Sequence, residues 1–171
     1  MRRLAAMGVY RLSMYLKKEG ISAYWAAYPR LLDSSVTREL LEEMERNYFD
    51  SLYAEKGNLK TLLRLLEPDI EAGCLAWCAL ELAMLYAMNP HMGEVFAAVH
   101  PPSRDGATLT LAAKLLYGEG LQLEYFDILQ DAFARCELLL QADYPANRIG
   151  DTLLLADDRL IAWLKNGESL P

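Results

Sequence analysis

Apolar residues recur at three- and four-residue steps through most of this chain, the spacing of one face of an α-helix. Near the start, Leu4, Met7, Tyr10 (or Arg11), Met14 and Tyr15 mark such a face, and Gly20 ends it. A short aromatic-rich helix is predicted over residues 21–32, interrupted near Pro29. Asp33-Ser34-Ser35 offers caps for a longer helix with the stripe Val36, Leu40, Leu41, Met44, Tyr48, Leu52. Its other face carries Arg38, Glu39, Glu42, Glu43, Glu45 and Arg46, a solvated side. Gly57-Asn58 stops that helix, and Asn58 is expected to cap the next one, over residues 59–66.

The pattern then changes. Residues 72–88 are apolar on every side except at Glu81, which predicts a helix buried almost all round and ending at Asn89-Pro90. Val95, Phe96 and Val99 give one face to a short helix over residues 91–100, and residues 101–106 read as a loop. Thr108 or Thr110 starts a helix reaching Tyr117, closed by Gly118 and Gly120. A further helix is predicted over residues 125–134, with Phe126, Leu129 and Phe133 on one face. Two apolar runs, ELLLQ at 137–141 and TLLLA at 152–156, flank turn-forming sequence and predict a β-hairpin with a long loop. Asp157-Asp158 caps a last helix over residues 159–165, closed by Asn166-Gly167. The fold class expected is mainly α: an N-terminal helical hairpin or bundle, then a winged-helix-like domain with a small β-hairpin.

Charge supports a division at Glu67-Pro68-Asp69. Residues 1–66, the helical segment, hold 11 Lys and Arg against 8 Asp and Glu, whereas residues 67–171 hold 6 against 16. With 171 residues, 53% of them hydrophobic, the chain can bury a core without a disulfide or metal. Its net charge of −7 is the wrong sign for a whole-surface binder of phosphates. Three cysteines, Cys74, Cys78 and Cys136, are an odd number in apolar surroundings and read as reduced thiols in the cytoplasm. Arg11 cuts the first apolar run too early for a signal peptide, and residues 72–88 are too short, with Glu81 among them, for a membrane span.

Catalytic, cofactor and metal residues are not expected in this chain. Cys74 and Cys78 share a helix face but lack the second pair that a structural zinc site needs, and His91 and His100 flank a helix instead of sharing one side. The carboxylates of Glu42, Glu43 and Glu45 read as a solvated face; those of Asp157 and Asp158 read as a helix start. Glu81 needs a partner, for which Arg104 or Arg135 is expected, and this structural role is favoured over catalysis. Neither G-x-x-x-x-G-K-[ST] nor G-x-G-x-x-G occurs, so no phosphate-binding loop is present. As a DNA-reading helix, residues 108–117 would offer Lys114 alone, with Arg104 on the flank, so protein contacts are favoured over nucleic acid.

From Leu75 onward the chain resembles the non-catalytic winged-helix region that precedes the ATPase core in a group of bacterial AAA-family ATPases. Three blocks carry the resemblance. Leu80-Glu81-Leu82 through Asn89-Pro90-His91-Met92-Gly93-Glu94-Val95-Phe96 is similar to a buried helix running into an Asp-Pro-x-aromatic-Gly-x-x-Phe turn, with Asn89 where the family often has Asp. Thr108-Leu109-Thr110-Leu111-Ala112-Ala113-Lys114-Leu115-Leu116 is similar to the family's helix after a polar loop. Glu137-Leu138-Leu139-Leu140, followed by Thr152-Leu153-Leu154-Leu155-Ala156-Asp157-Asp158-Arg159-Leu160-Ile161-Ala162-Trp163-Leu164 and Gly167, is similar to its wing and following helix. The resemblance implies a front domain that recruits a protein substrate or partner, or regulates an ATPase core lying downstream of Pro171. ATP and Mg would then belong to that core, and cores of this family commonly form rings. Two alternatives stay open: a stand-alone winged-helix DNA-binding regulator dimerising through its first helices, and a small enzyme with a pocket joining Glu81, a histidine and Cys136.

Overall fold

The computed structural model describes residues 2–19, 38–54, 57–68, 74–120, 140–142 and 149–166. The chain is mainly helical. Its helices are α1 (Arg2–Lys18), α2 (Arg38–Ala54), α3 (Asn58–Leu65), α4 (Leu75–Met88), α5 (Met92–Val99), α6 (Leu109–Tyr117) and α7 (Asp158–Asn166). Two short strands, β1 (Leu140–Ala142) and β2 (Leu154–Ala156), lie between α6 and α7. The helices expected over 21–32 and 125–134, the caps at 33–35 and the strand residues 137–139 lie outside the described residues.

Helix α4 is the axis of the molecule. Every residue from Leu75 to Leu85 is buried, Glu81 included, so the helix needs cover on all sides. Helix α1 lies along it, and α5, α6 and β2 pack on it as well. The α1 face expected from the apolar spacing is broader than the stripe: Leu4, Ala5, Met7, Val9, Leu12 and Leu16 are buried, while Met14 is 48% exposed. Gly8 permits the close approach, since a Cβ there would stand 3.3 Å from the backbone oxygen of Glu81. Residues on both sides of Glu67-Pro68-Asp69 belong to one apolar cluster, Leu4 and Leu52 among them with Leu80, Phe96 and Leu160.

Local signals set several boundaries. Asn89 ends α4, and its side-chain oxygen accepts from the His91 N–H at 3.2 Å. Thr108 caps α6: its hydroxyl accepts from the Leu111 N–H at 3.1 Å and shares a 2.7 Å bond with the Ser103 hydroxyl. Gly118 closes that helix in the left-handed conformation, φ 75°. Asp157 caps α7, accepting from the Arg159 N–H at 2.7 Å.

Asn58 behaves differently from expectation. Gly57 is the N-cap residue of α3, and no side chain caps it. Asn58 is the first helical residue, one position past the cap, and its Nδ2 donates to the Trp163 carbonyl of α7 at 2.7 Å. The helix expected over 59–66 therefore starts at Asn58 and is tied to the last helix.

The expected hairpin is present as an antiparallel ribbon with Leu140 opposite Ala156, Gln141 opposite Leu155 and Ala142 opposite Leu154. On the other side of β2, Ala107 forms an isolated antiparallel bridge to Leu154, whose N–H donates to the Ala107 oxygen at 2.8 Å.

Candidate functional site

The chemistry concentrates on one stripe of α4. Cys74, Trp77, Cys78 and Glu81 follow at steps of three and four and so share a face of the helix. Glu81 is fully buried. Arg11 of α1 donates to it twice, Nε to Oε2 at 2.6 Å and Nη2 to Oε1 at 3.2 Å. Tyr48 of α2 donates its hydroxyl to Oε1 at 2.8 Å and accepts from the Trp77 indole N–H at 2.9 Å. Phe49 stacks obliquely beside these groups, 4.9 Å from the Tyr48 ring and 6.5 Å from the Trp77 ring.

Burial and charge act against each other here. Burial pushes the Glu81 carboxyl up, while the Arg11 charge and the bonds from Arg11, Tyr48 and Trp77 pull it down; the balance lies on the raised side. Burial alone would lower the Arg11 pKa, but Glu81 beside it, with Cys78 and Tyr48, raises it. Burial and the Glu81 charge hold the Tyr48 hydroxyl well above its ordinary value of 10.0. Tyr48 is therefore a donor and Arg11 a cation at neutral pH. Three helices meet through this cluster.

The partner of Glu81 corrects the expectation. Arg104 is exposed in the turn after the 3₁₀ segment Pro101–Ser103, and Arg135 lies outside the described residues. The sequence shows Arg11 as an alternative to Tyr10 on the first apolar face and as an interruption of an apolar run, and Tyr48 as a member of a core stripe. The signal that could have found Tyr48 is its place beside Asn47 and Arg46, polar residues abutting an apolar stripe. Arg11 carries no comparable mark beyond its position on the buried side of α1.

The remaining candidates are scattered. Cys78 is buried and Cys74 half-buried, with Cys74 at φ 66° just before α4; Cys136 lies outside the described residues. His91 is exposed. His100 is buried and its Nε2 lies 2.7 Å from Asp151 Oδ1, pinning the end of α5 to the turn before β2. Lys114 donates its ammonium to the Val99 carbonyl at 3.3 Å. Among the described residues no group of three or more His, Cys, Asp or Glu could hold a metal ion, and no helix is long and apolar enough to cross a membrane.

Beside the buried cluster, α1, α2, Cys74 and the end of α6 enclose an open depression of about 380 Å³. Arg11 lines it, as do Arg46 and Asn47. At Asn47 the backbone of α2 leaves the helical region, φ −133° and ψ 23°, so the helix is broken at the edge of the depression. No protein-family model, curated protein or solved structure matches the chain.

Proposed function

We propose that the chain is a non-catalytic front module of an AAA-family ATPase, with a winged-helix-like half over residues 67–171 that receives a protein substrate or partner, or regulates the ATPase core. The observation that carries this reading is the arrangement of β-structure. Ala107 bridges one side of β2, β1 pairs with the other, and the Asp157-capped α7 follows directly. A short strand position ahead of a helix, then a ribbon and a terminal helix, is the order that a wing-bearing module would have. Of the blocks resembling the AAA-associated region, residues 108–116 follow the Ala107 bridge and residues 152–164 hold β2 and most of α7.

Two further observations favour a protein partner over DNA and over catalysis. The Lys114 ammonium is directed to the Val99 carbonyl, which takes the one base of α6 away from a phosphate backbone. The Glu81 carboxylate is engaged by Arg11 and Tyr48 and works as a structural acceptor.

The coding sequence beyond Pro171 tests the proposal. A G-x-x-x-x-G-K-[ST] loop encoded downstream is the expected result, because that loop cradles the phosphates of ATP. A reading frame closing at Pro171 would overturn it. A DNA shift assay tests the alternative regulator: duplex binding that falls steeply with salt and is lost in Arg104→Ala/Lys114→Ala would replace the partner-protein reading.

A further inference from the structure

The depression beside the Arg11–Glu81 cluster has the size and the groups of a ligand site. Clefts for small ligands run from about 300 to 1,000 Å³ with a mostly apolar lining and a few convergent polar groups, and this one holds about 380 Å³. Met7, Phe49 and Leu116 supply its apolar wall.

Arg11 supplies the most ordered polar group. Its Nε and Nη2 edge is taken by the Glu81 carboxylate, and among the described residues nothing accepts from Nη1. No side-chain nitrogen or oxygen of the described residues is both sealed from solvent and without a partner, so Nη1 is open to solvent, and Arg11 lines the depression. A guanidinium locked on one edge by a buried carboxylate offers its other edge with little rotamer entropy left to lose on binding.

The rim adds a second observation. Arg46 and Asp50 are four residues apart, the spacing at which an unbroken helix would pair them. The helix is broken at Asn47, between them, and among the described residues no side-chain hydrogen bond or ion pair engages Arg46, Asn47 or Asp50. All three line the depression. Two arginines, Arg11 and Arg46, are thus opposed by two carboxylates, Glu81 and Asp50. With charges balanced, selection falls on ligand charge: a monoanion meets less repulsion from Asp50 than a phosphate dianion does, and its binding rests on the hydrogen bonds of the two guanidinium groups.

We propose that this depression binds a small organic monocarboxylate with a short apolar or aromatic body. The carboxylate lies between Arg11 Nη1 and Arg46, where charge-assisted, forked hydrogen bonds are available. The body rests on Met7, Phe49 and Leu116. Such a carboxylate can belong to a free molecule or to the last residue of a peptide. The proposal stands apart from the ATPase-module reading and survives its failure.

The test is a titration of the full chain followed by NMR at the Arg11 Nε–H and the Trp77 indole N–H. Phenylacetate is the probe, with phenylacetamide as a neutral match of the same shape and inorganic phosphate as the dianion. Phenylacetate is expected to bind with a Kd of about 1 mM and the amide about tenfold more weakly. Arg46→Gln should weaken phenylacetate about threefold to tenfold, and Asp50→Asn should tighten it. Both positions are exposed, and an unchanged thermal midpoint verifies that each variant is folded. Equal binding of acid and amide, phosphate as tight as phenylacetate, indifference to Arg46→Gln, or no binding of phenylacetate at about 10 mM would each overturn the proposal. N-acetyl-glycyl-phenylalanine distinguishes the sources: tighter binding than phenylacetate assigns the site to a chain end and exclusion assigns it to a free acid, the site standing in both cases.

Discussion

Arg11 and Glu81, separated by 70 residues in sequence, face each other with Nε 2.6 Å from Oε2, the arginine side chain 15% exposed and the glutamate fully buried. A carboxylate in that position would cost several kcal/mol if left alone. Here it accepts from a guanidinium on one side and a phenol on the other, so the cost is offset by bonds that exist only when α1, α2 and α4 are in register. The pair ties the first helix, rich in basic residues, to the apolar axis of the acidic half.

Removing both members of this pair should therefore cost less than the two single losses added together. Arg11→Met is expected to destabilise the fold by about 3–5 kcal/mol, because Glu81 is left buried with one donor. Glu81→Gln strands Arg11 in the same way. The double variant should lose less than the sum of the two, since neither charge is then unpaired. Urea midpoints of the four proteins measure this directly; additive losses would mean that the pair is not coupled.

Tyr48 makes a separate contribution at high pH. Its hydroxyl is held above 10.0 by burial and by Glu81, so the unfolded chain loses this proton first as pH rises. Stability from Tyr48 is thus full below pH 10.0 and is lost as pH climbs towards the folded-state value. Tyr48→Phe should cost about 1.5–3 kcal/mol at neutral pH, the range for a hydrogen bond to a charged group. It should also flatten the alkaline limb of the stability curve. Parallel limbs for the two proteins would show that Tyr48 does not report on it.

Much of this fold is legible in local sequence and little of the cluster is. Helix α4 declares itself by an apolar run that only Glu81 interrupts. Thr108, Asn89 and Asp157 mark boundaries through bonds to backbone two or three residues away, which a short window contains. The ribbon shows as two apolar runs around turn-forming sequence. Arg11, by contrast, meets its partner through tertiary packing, and no local pattern names a contact 70 residues away. Asn58 falls one position inside α3 because Gly57 takes the cap place, and its tie to Trp163 is again a tertiary contact that no short window contains. The break in α2 at Asn47 has no glycine or proline within that helix to announce it. One apolar cluster holds residues from both sides of Glu67-Pro68-Asp69, a sharing that the charge pattern does not display.

Two glycines set how close the helices come. A Cβ at Gly8 would stand 3.3 Å from the Glu81 carbonyl oxygen, and one at Gly93 would overlap the Arg104 carbonyl oxygen. Gly8→Val should push α1 off α4, destabilising by about 1–3 kcal/mol and weakening the Arg11–Glu81 bond. Gly8→Ala should be close to neutral, its gain in helix propensity of about 1 kcal/mol opposing the tight contact. Gly93→Ala has backbone in its way and should be the most damaging of the three. Thermal midpoints rank them, and Gly93→Ala melting with the unsubstituted protein would refute the close approach of α5 to the turn at Arg104.

Asn58→Ala separates tertiary tie from helix cap. Since the amide serves Trp163 and not α3, the loss of about 1 kcal/mol should appear as faster hydrogen exchange in α7 with α3 unchanged. Faster exchange confined to the first turn of α3 would restore the capping role.

Asp157 provides the acid counterpart to Tyr48. Its carboxyl accepts from the Arg159 guanidinium at 2.8 and 3.1 Å and from the Arg159 N–H at 2.7 Å. These bonds hold it below its ordinary value of 3.8, against a small opposing effect of burial. In the folded protein the group stays ionised where the unfolded chain has begun to take up a proton. Its contribution is therefore whole above pH 3.8 and disappears as pH falls through the folded-state value. Asp157→Ala removes cap and charge together and should cost about 1 kcal/mol at neutral pH. Asp157→Asn keeps an acceptor for the helix N–H but cannot titrate, so it should lose less and show a shallower acid limb. Denaturation midpoints at about pH 7 and about pH 3 separate the two effects. If Asp157→Asn loses stability with acid as steeply as the unsubstituted protein, the acid limb belongs to other carboxylates and the α7 cap is a neutral hydrogen bond only.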